Sequence, residues 1–448
     1  MNDTIAAIST PAGRGGIAVI RISGPDAVSF TDKIWKGKNL RDVASHSAHL
    51  GHIIDCQGNI LDQAVATVFR TPKSFTGEDV VELSVHGSTY IQSALLESLI
   101  NQGVRIAEPG EFTRRAFLNG KLDLAEAEAV ADIIASSSRA AHAIAASQLQ
   151  GRFSSHINSL RQKLIDLAAL LELELDFSEE DVTFADRSQL KSLAREILSF
   201  IDSLASTFSS GKAIREGVPV AIIGKPNAGK SSLLNSLLGT DRAIVSDIPG
   251  TTRDTIEDTL DIDGITFRFI DTAGLRSTDD PIESLGIERS YASIRKAKII
   301  LWLIDPNTSD VDAAKAEDLI SREVTSDSFL IKIQSKSDIS RNSSHSELLP
   351  ISSKTGSGID QLRKILIAKV TSGLPTDESL IVTNARHQSA LLQARKALAD
   401  LLYGMNDLTT DLLAEHLREA ISSLGSITGQ ITSTTILHTI FSRFCIGK

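Results

Sequence analysis

Cysteine is nearly absent from this chain: Cys56 and Cys445 are the only two in 448 residues. Thiols so far apart build no disulfide framework and match no zinc spacing, so a reducing compartment is the simplest setting. Aromatic residues make up 4%, with two Trp, which leaves little for a stacking platform that grips nucleic acid. Basic charge is short as well. Lys and Arg number 46 against 56 Asp and Glu, a formal net charge of −10, and this argues against a surface that simply attracts nucleic acid or anionic membrane. No apolar stretch approaches the ~18 residues of a membrane span. The start, Met1-Asn-Asp-Thr-Ile5, lacks the basic region and apolar run of a signal peptide, so a cytoplasmic protein is expected.

What is present suits folded domains: 42% hydrophobic and 23% charged residues leave no room for large-scale disorder. Two or three domains are expected, because a single core rarely grows past about 250–300 residues. Residues 1–118 are rich in short β-type segments at 16–22, 63–69 and 80–85. Gly and Pro punctuate them at 10–16 and 108–110, and the pattern predicts a compact α+β domain. From Lys121 the texture turns helical, with Ile157, Leu160, Leu164, Leu167 and Leu171 at 3–4 spacing and frequent Ala between 125 and 146. It returns after Leu380, in Leu402 and in Leu413, Leu417, Ala420 and Leu424. Residues 119–213 and 374–448 are therefore expected to pack as one helical domain, with two separate weak bundles as the alternative. Residues 214–373 alternate strand and helix, with strands expected at 218–223, 267–270, 299–304 and 329–333 and a helix at 230–238. Such alternation predicts an inserted domain with a mostly parallel sheet covered on both faces.

The sharpest motif is Gly224-Lys-Pro-Asn-Ala-Gly229-Lys230-Ser231, following a predicted strand and opening a predicted helix. A loop of this kind surrounds phosphates with backbone N–H groups. Asn227, Ala228, Gly229, Lys230, Ser231 and Ser232 would bind nucleotide, with Lys230 reaching the β and γ phosphates and Ser231 ligating Mg²⁺. A structural Gly turn is the alternative, which the flanking strand and helix disfavour. Asp271, Thr272, Ala273 and Gly274 follow a predicted strand, where a carboxylate can hold the magnesium shell and the Gly N–H can face the γ phosphate. Ser335, Lys336, Ser337 and Asp338 follow another. Asp338 can accept both the ring N–H and the exocyclic amine of guanine; adenine offers no such pair, so GTP is selected over ATP. Alone, Asp338 would read as an exposed loop acid.

The order resembles GTPases of the translation-factor-related class. Their fourth motif is Asn-Lys-x-Asp, and Ser335 stands here in place of Asn, replacing only part of the amide's hydrogen bonding. Ser352, Ser353 and Lys354 resemble the fifth motif. After Gly274 comes Leu275, which cannot orient water as a Gln would, so another group must. Asn227 with Ser246, Asp247, Ile248, Pro249, Gly250, Thr251 and Thr252 could supply an oxygen cage for a monovalent cation, sited where an arginine might otherwise act.

The whole chain resembles the tRNA-modification GTPases of the MnmE (TrmE) family. The carrying residues are Asp3-Thr-Ile and Gly13-Arg-Gly-Gly16, Ser74-Phe-Thr-Gly-Glu-Asp79 with His86-Gly87, and Pro109-Gly-Glu-Phe112. They continue in Arg115-Ala-Phe-Leu-Asn119, Lys121-Leu-Asp-Leu-Ala125, the GTPase segment and Phe444-Cys-Ile-Gly-Lys448. The resemblance implies a multidomain fold: an α+β N-terminal folate-binding and dimerising domain, an α-helical domain and an inserted α/β P-loop GTPase domain. It implies that Arg21, Glu82, Lys121 and Lys448 contact a reduced folate, 5-formyl- or 5,10-methylene-tetrahydrofolate. A basic group can pair with the folate's glutamate carboxylate, and a carboxylate with the pterin's amino-pyrimidine edge. On chemistry alone these four would read as ordinary surface charges. The resemblance further implies potassium at Asn227, Ser246, Ile248 and Thr251, magnesium at Ser231 and Thr252, and Glu283 as the catalytic acid that orients water beside Lys230. Glu283 could equally be a surface helix acid, and Cys445 either a nucleophile or a packing residue.

The implied function is potassium-stimulated GTP hydrolysis that drives modification of carbon 5 of the wobble uridine of tRNA. The implied partners are a second copy of the chain and the FAD-dependent MnmG (GidA) protein. With so little basic and aromatic surface, tRNA is expected to be gripped mainly by the partner or by a patch formed on assembly. A regulatory or ribosome-assembly GTPase with no part in one-carbon transfer is the rival reading, told apart by folate binding; a plain ATPase is disfavoured by Asp338.

Overall fold

The computed structural model describes residues 3–55, 57–176, 187–239, 258–270, 291–339, 348–405, 407–431, 434–442, 444–445 and 447. The chain forms two compact units: Met1–Ala131, Gln148–Arg161 and Leu424–Lys448 make the first, and Asp132–Ser147 with Gln162–Ser423 the second.

The first unit is built on a seven-stranded sheet among the described residues, ordered β3-β4-β5-β6-β2-β1-β7. Its strands are β1 (Ile5–Ile8), β2 (Gly15–Ser23), β3 (Trp35–Lys36), β4 (Ser47–Ile54), β5 (Ile60–Phe69), β6 (Val80–Gly87) and β7 (Arg105–Ile106). All neighbours are antiparallel except β1 and β7. The expected strands at 16–22, 63–69 and 80–85 lie inside β2, β5 and β6. Alternation explains the architecture. Ala18, Ile20 and Ile22 of β2 and Val81, Leu83 and Val85 of β6 turn to one face, where Ala27 and Val28 of the helix Ala27–Lys33 and Leu95 and Leu99 of the helix Thr89–Asn101 complete the core. The residues between them, Arg21 and Glu82 included, belong to the opposite face.

The second unit holds a six-stranded sheet among the described residues, ordered β13-β12-β11-β8-β10-β9. Its strands are β8 (Val218–Gly224), β9 (Asp258–Ile262), β10 (Ile265–Phe269), β11 (Ile299–Ile304), β12 (Phe329–Gln334) and β13 (Leu349–Pro350). All pairings are parallel except β9 with β10. The central strand β8 reads as a continuous apolar run because both its faces are covered. Val220 and Ile222 face Leu233 and Leu237 of the helix Lys230–Leu238 and Leu362 and Leu366 of the helix Ile359–Thr371. Ala221 and Ile223 face the cluster of Ile294, Ile300, Trp302 and Ile320.

β10 ends one residue earlier than the expected 267–270 segment and starts two residues sooner. The reason is the tight turn before it: Asp263 and Gly264 both have positive φ, 51° and 83°, the geometry that joins paired Ile262 and Ile265 through two residues. Elsewhere in this unit Arg187–Ser206 packs against Ala385–Gly404, with Leu190, Ala194, Ile197 and Ile201 buried at helical spacing. Ile157, Leu160, Leu164, Leu167 and Leu171 form the buried stripe of one helix, Arg152–Asp176. No helix among the described residues is long and apolar enough to cross a membrane.

Candidate functional site

β8 delivers the chain to the centre of its sheet's C-terminal edge, and Gly224 turns it there. Gly224 has φ 153°, and a Cβ would stand 2.7 Å from the Leu303 carbonyl oxygen of the neighbouring β11, so no larger residue fits without a shift. Asn227 and Gly229 also take positive φ, 61° and 95°. The loop therefore curls, and Gly229 caps a helix whose buried Leu233, Leu234 and Leu237 anchor it. Its first amides point out of the helix N-terminus, where they have no partner within the helix and attract anions.

Lys230 opens that helix, half-buried. Its Nζ donates to the carbonyls of Gly224 at 2.8 Å and Lys225 at 3.1 Å, which places the ammonium inside the loop. Burial pushes its pKa below the ordinary lysine value; an anion in the loop would reverse that penalty. Ala228 is buried, and Ser231 is half-buried in the first helical turn. The cradle and its cation fit nucleotide phosphates, and the Ser231 hydroxyl is of the type that holds magnesium beside them.

A second group forms past the end of β12. Ser335 is buried, and both its N–H and its hydroxyl donate to the Ile304 carbonyl, at 3.0 and 3.3 Å. In the position of the usual Asn, this Ser ties its loop to β11. Lys336, at φ 54°, pairs through Nζ with Asp305 Oδ2 at 2.7 Å. Ser337 N–H donates to Ile351. Asp338 is exposed, and its carboxylate accepts from the buried Ser352 hydroxyl at 2.7 Å. That hydrogen bond, with Lys354 nearby, holds the Asp338 pKa below the ordinary carboxylate value. Half-buried Ser353 and exposed Lys354 follow. Asp305, which pairs with Lys336, is the residue of this group that sequence inspection missed. Its signal was an acid directly after an apolar strand, and the Lys336 hydrogen bond draws its pKa down.

Ser246, Asp247, Ile248, Pro249, Gly250, Thr251 and Thr252 lie outside the described residues, as do Asp271, Thr272, Ala273, Gly274, Glu283 and Lys448. Of the expected potassium ligands the structure places Asn227, exposed at the crest of the loop.

In the first unit, Arg21 and Glu82 are register partners on β2 and β6. Arg21 Nε donates to Glu82 Oε1 at 2.9 Å. The guanidinium also stands 5.4 Å from the Phe75 ring centroid and 5.7 Å from that of Phe112. Lys121 is exposed, and its Nζ donates to the Pro72 carbonyl at 3.1 Å. The loop of residues 72–77 thus touches both Arg21 and Lys121. A paired acid and base and an exposed cation that share one loop offer partners to both carboxylates and amino-bearing edges of a ligand. The tail reaches the same unit: Ser9 Oγ donates to the Gly447 carbonyl across 438 residues of sequence, and Gly110 N–H donates to the Cys445 carbonyl. The Cys445 side chain is exposed and its thiol free.

A family model described as the MnmE helical domain matches residues 124–445, and one described as GTP-binding protein TrmE N-terminus matches residues 4–121. A Cytophaga hutchinsonii protein named tRNA modification GTPase MnmE is 49% identical, covering 100% of this chain and 98% of its own. Proteins of the same name from Christiangramia forsetii and Parabacteroides distasonis are 45% and 47% identical, covering 100% and 99% of this chain and 100% of each relative. Among solved structures, the G domain of the T. maritima FeoB iron transporter aligns at 25% identity over 35% of this chain and 99% of that one, with a TM-score of 0.26, too slight a likeness to weigh.

Proposed function

The chain belongs to the MnmE family of tRNA modification GTPases, and from that premise we propose that its GTP hydrolysis drives modification of carbon 5 of the wobble uridine of tRNA. The activity is that of a GTP hydrolase in tRNA modification. The observation that carries the GTP half is the Lys230 loop together with the Ser352–Asp338 hydrogen bond: one grips phosphates, the other presents an ionised acceptor to a guanine edge.

In this reading Lys230 neutralises charge on the β and γ phosphate oxygens as it develops. Ser231 and Thr252 would hold magnesium, which would supply charge that polarises the same oxygens. Asn227, Ser246, Ile248 and Thr251 would hold potassium, which would supply the positive charge of an arginine finger, and Glu283 orients the attacking water in place of Leu275. Residues 214–373 form the GTPase domain inserted between helical segments 119–213 and 374–448, and residues 1–118 form the folate-binding and dimerising domain. Arg21, Glu82, Lys121 and Lys448 hold the reduced folate that supplies the one-carbon unit. Hydrolysis gates the approach of these domains rather than performing the modifying chemistry. The setting is the cytoplasm, as a homodimer joined to the FAD-dependent MnmG protein, with tRNA gripped mainly by that partner or by a patch formed on assembly.

Mass spectrometry of wobble nucleosides from cells lacking this protein tests the proposal. Loss of the carbon-5 aminomethyl-type group is expected; an unchanged nucleoside profile would sink it.

A further inference from the structure

Four segments that carry the family resemblance hold residues to which no ligand role falls: Asp3, Glu78, Glu111 and Arg115. They meet in one ion network. Arg115 is 1% exposed and Glu111 0%. The Arg115 guanidinium donates to the Asp3 carbonyl at 2.8 Å, to Asp3 Oδ1 at 2.9 Å, to Glu111 Oε1 at 3.1 Å and to both Glu78 oxygens at 3.2 Å. Arg105 adds a second guanidinium, donating to Asp3 Oδ2 at 2.8 Å and to Glu111 Oε1 at 2.6 Å. So many charges are brought out of water only at a cost, and pairing is what makes the cluster tolerable. Replacing it by apolar side chains would serve stability as well.

The network reaches the surroundings of Arg21 on two sides, where the rings of Phe75 and Phe112 stand. Glu78 Oε2 accepts from Ser23 Oγ at 2.7 Å, and Ser23 Oγ in turn meets Thr76 Oγ1 at 2.7 Å. Glu78 thereby pins the loop whose Phe75 lies against the Arg21 guanidinium. Glu111 lies next to Phe112, whose ring flanks the same guanidinium, and Arg115 follows on the same helix, Glu111–Leu118. Glu82 holds Arg21 along the sheet. Left to itself an arginine samples many rotamers, and fixing it beforehand removes part of the entropy lost on binding.

We infer that Glu78, itself held by Arg115, is a positioning residue for the anion-binding Arg21, acting through Phe75 and making no contact with ligand. The inference rests on the reading that Arg21 binds reduced folate. It differs from a purely structural role in one respect: the effect of Glu78 on ligand must pass through Phe75.

The test is calorimetric titration of the full chain with 5-formyltetrahydrofolate, for the wild type, Glu78→Gln, Phe75→Ala and the double variant, each checked for fold by circular dichroism. Each single change is expected to weaken binding about tenfold, the size of one hydrogen bond to a charged group. The double variant is expected to be no weaker than the poorer single, because the two act in series. Wild-type affinity in Glu78→Gln, or losses that add in the double variant, would overturn the inference. A wild type that does not bind the probe sinks the folate reading itself, and this inference with it. Should Glu78→Gln fail to fold, Ser23→Ala decides. It removes one hydroxyl and no charge; weaker binding supports the network's role, and unchanged binding refutes it.

Discussion

Ser352 Oγ donates a 2.7 Å hydrogen bond to Asp338 Oδ1, joining the acid expected to read the nucleotide base to a loop 14 residues further along. The donor is 1% exposed and fixed by its own backbone bond to Ser357, while the acceptor faces solvent. A buried hydroxyl thus aims an exposed carboxylate.

The first prediction follows from that aim. Ser352→Ala should weaken GDP binding about tenfold, as loss of a hydrogen bond to an ionised group does. It should also raise the pH at which binding fails in acid. The hydrogen bond now keeps Asp338 ionised below its ordinary 3.8, so the wild type keeps the acceptor as pH falls and the variant loses it sooner. Asp338→Asn should go further and trade guanine for xanthine nucleotides, whose edge offers an acceptor where guanine offers its amine. Fluorescent-nucleotide titration across pH checks both; equal affinity in Ser352→Ala would deny the contact any role.

Hydrolysis is the second. Potassium, and not sodium, should raise the turnover of GTP, and Glu283→Ala should keep GTP binding while losing most hydrolysis. The residue change removes a group that acts only on the attacking water, so turnover suffers and affinity does not. Phosphate release in matched chloride salts is the measurement. Equal rates in the two salts reject the cation cage, and wild-type turnover in the variant rejects Glu283.

Acid should loosen the first unit. Burial raises the Glu111 and Asp3 pKa values, but hydrogen bonds from Arg105 and charge from neighbouring arginines outweigh it, leaving both below their ordinary 4.5 and 3.8. A depressed carboxylate contributes stability that is whole above its ordinary value and drains away as pH falls through the lower folded one. The urea midpoint of the unit should therefore drop once pH passes below about 4.5. Glu111→Gln, which takes one carboxylate from Arg115 and Arg105 and leaves them Asp3 and Glu78, should cost about 2 kcal/mol at neutral pH, the size of a hydrogen bond to a charged group, and flatten the acid slope. An unchanged slope in the variant would assign the acid transition elsewhere.

Gly110→Ala probes the tail. Gly110 has φ 66°, and a Cβ there would stand 2.5 Å from the Phe441 carbonyl and 2.9 Å from Phe444 Cβ. Strain of this kind costs about 1–3 kcal/mol, and the simplest relief is to release residues 441–447. Carboxypeptidase should then trim the variant faster than the wild type. Equal trimming would mean that the tail is held by its other contacts alone.

The elements that could be read in advance are those whose cause is local. An apolar run ending in a glycine loop announced β8, and the helix after it has the bounds expected, 230–238, because Gly229 and the Leu spacing set them within a few residues. The Asp263-Gly264 turn is equally local, and by pairing Ile262 with Ile265 it starts β10 two residues ahead of the expected segment. What stayed hidden depends on chain-distant pairing. Nothing near Arg21 says that β6 will lie beside it in the register that supplies Glu82, 61 residues away. The Ser352–Asp338 and Lys336–Asp305 contacts arise likewise from the order of strands across a sheet, and the burial of Arg115 depends on acids from three separate segments.

The docking of Gly447 beside Ile8 and Ser9 has a consequence for biosynthesis. A Cβ on Gly447 would lie 2.3 Å from the Ile8 carbonyl, and Phe441 packs with Leu124 and Ala127, so the far end of the chain is part of the first unit's interior. Chains generally fold from the N-terminus as they leave the ribosome. Here β1 has both its sheet neighbours early, in β2 and β7, but the unit gains the contacts of its tail only when residues made more than 400 positions later emerge.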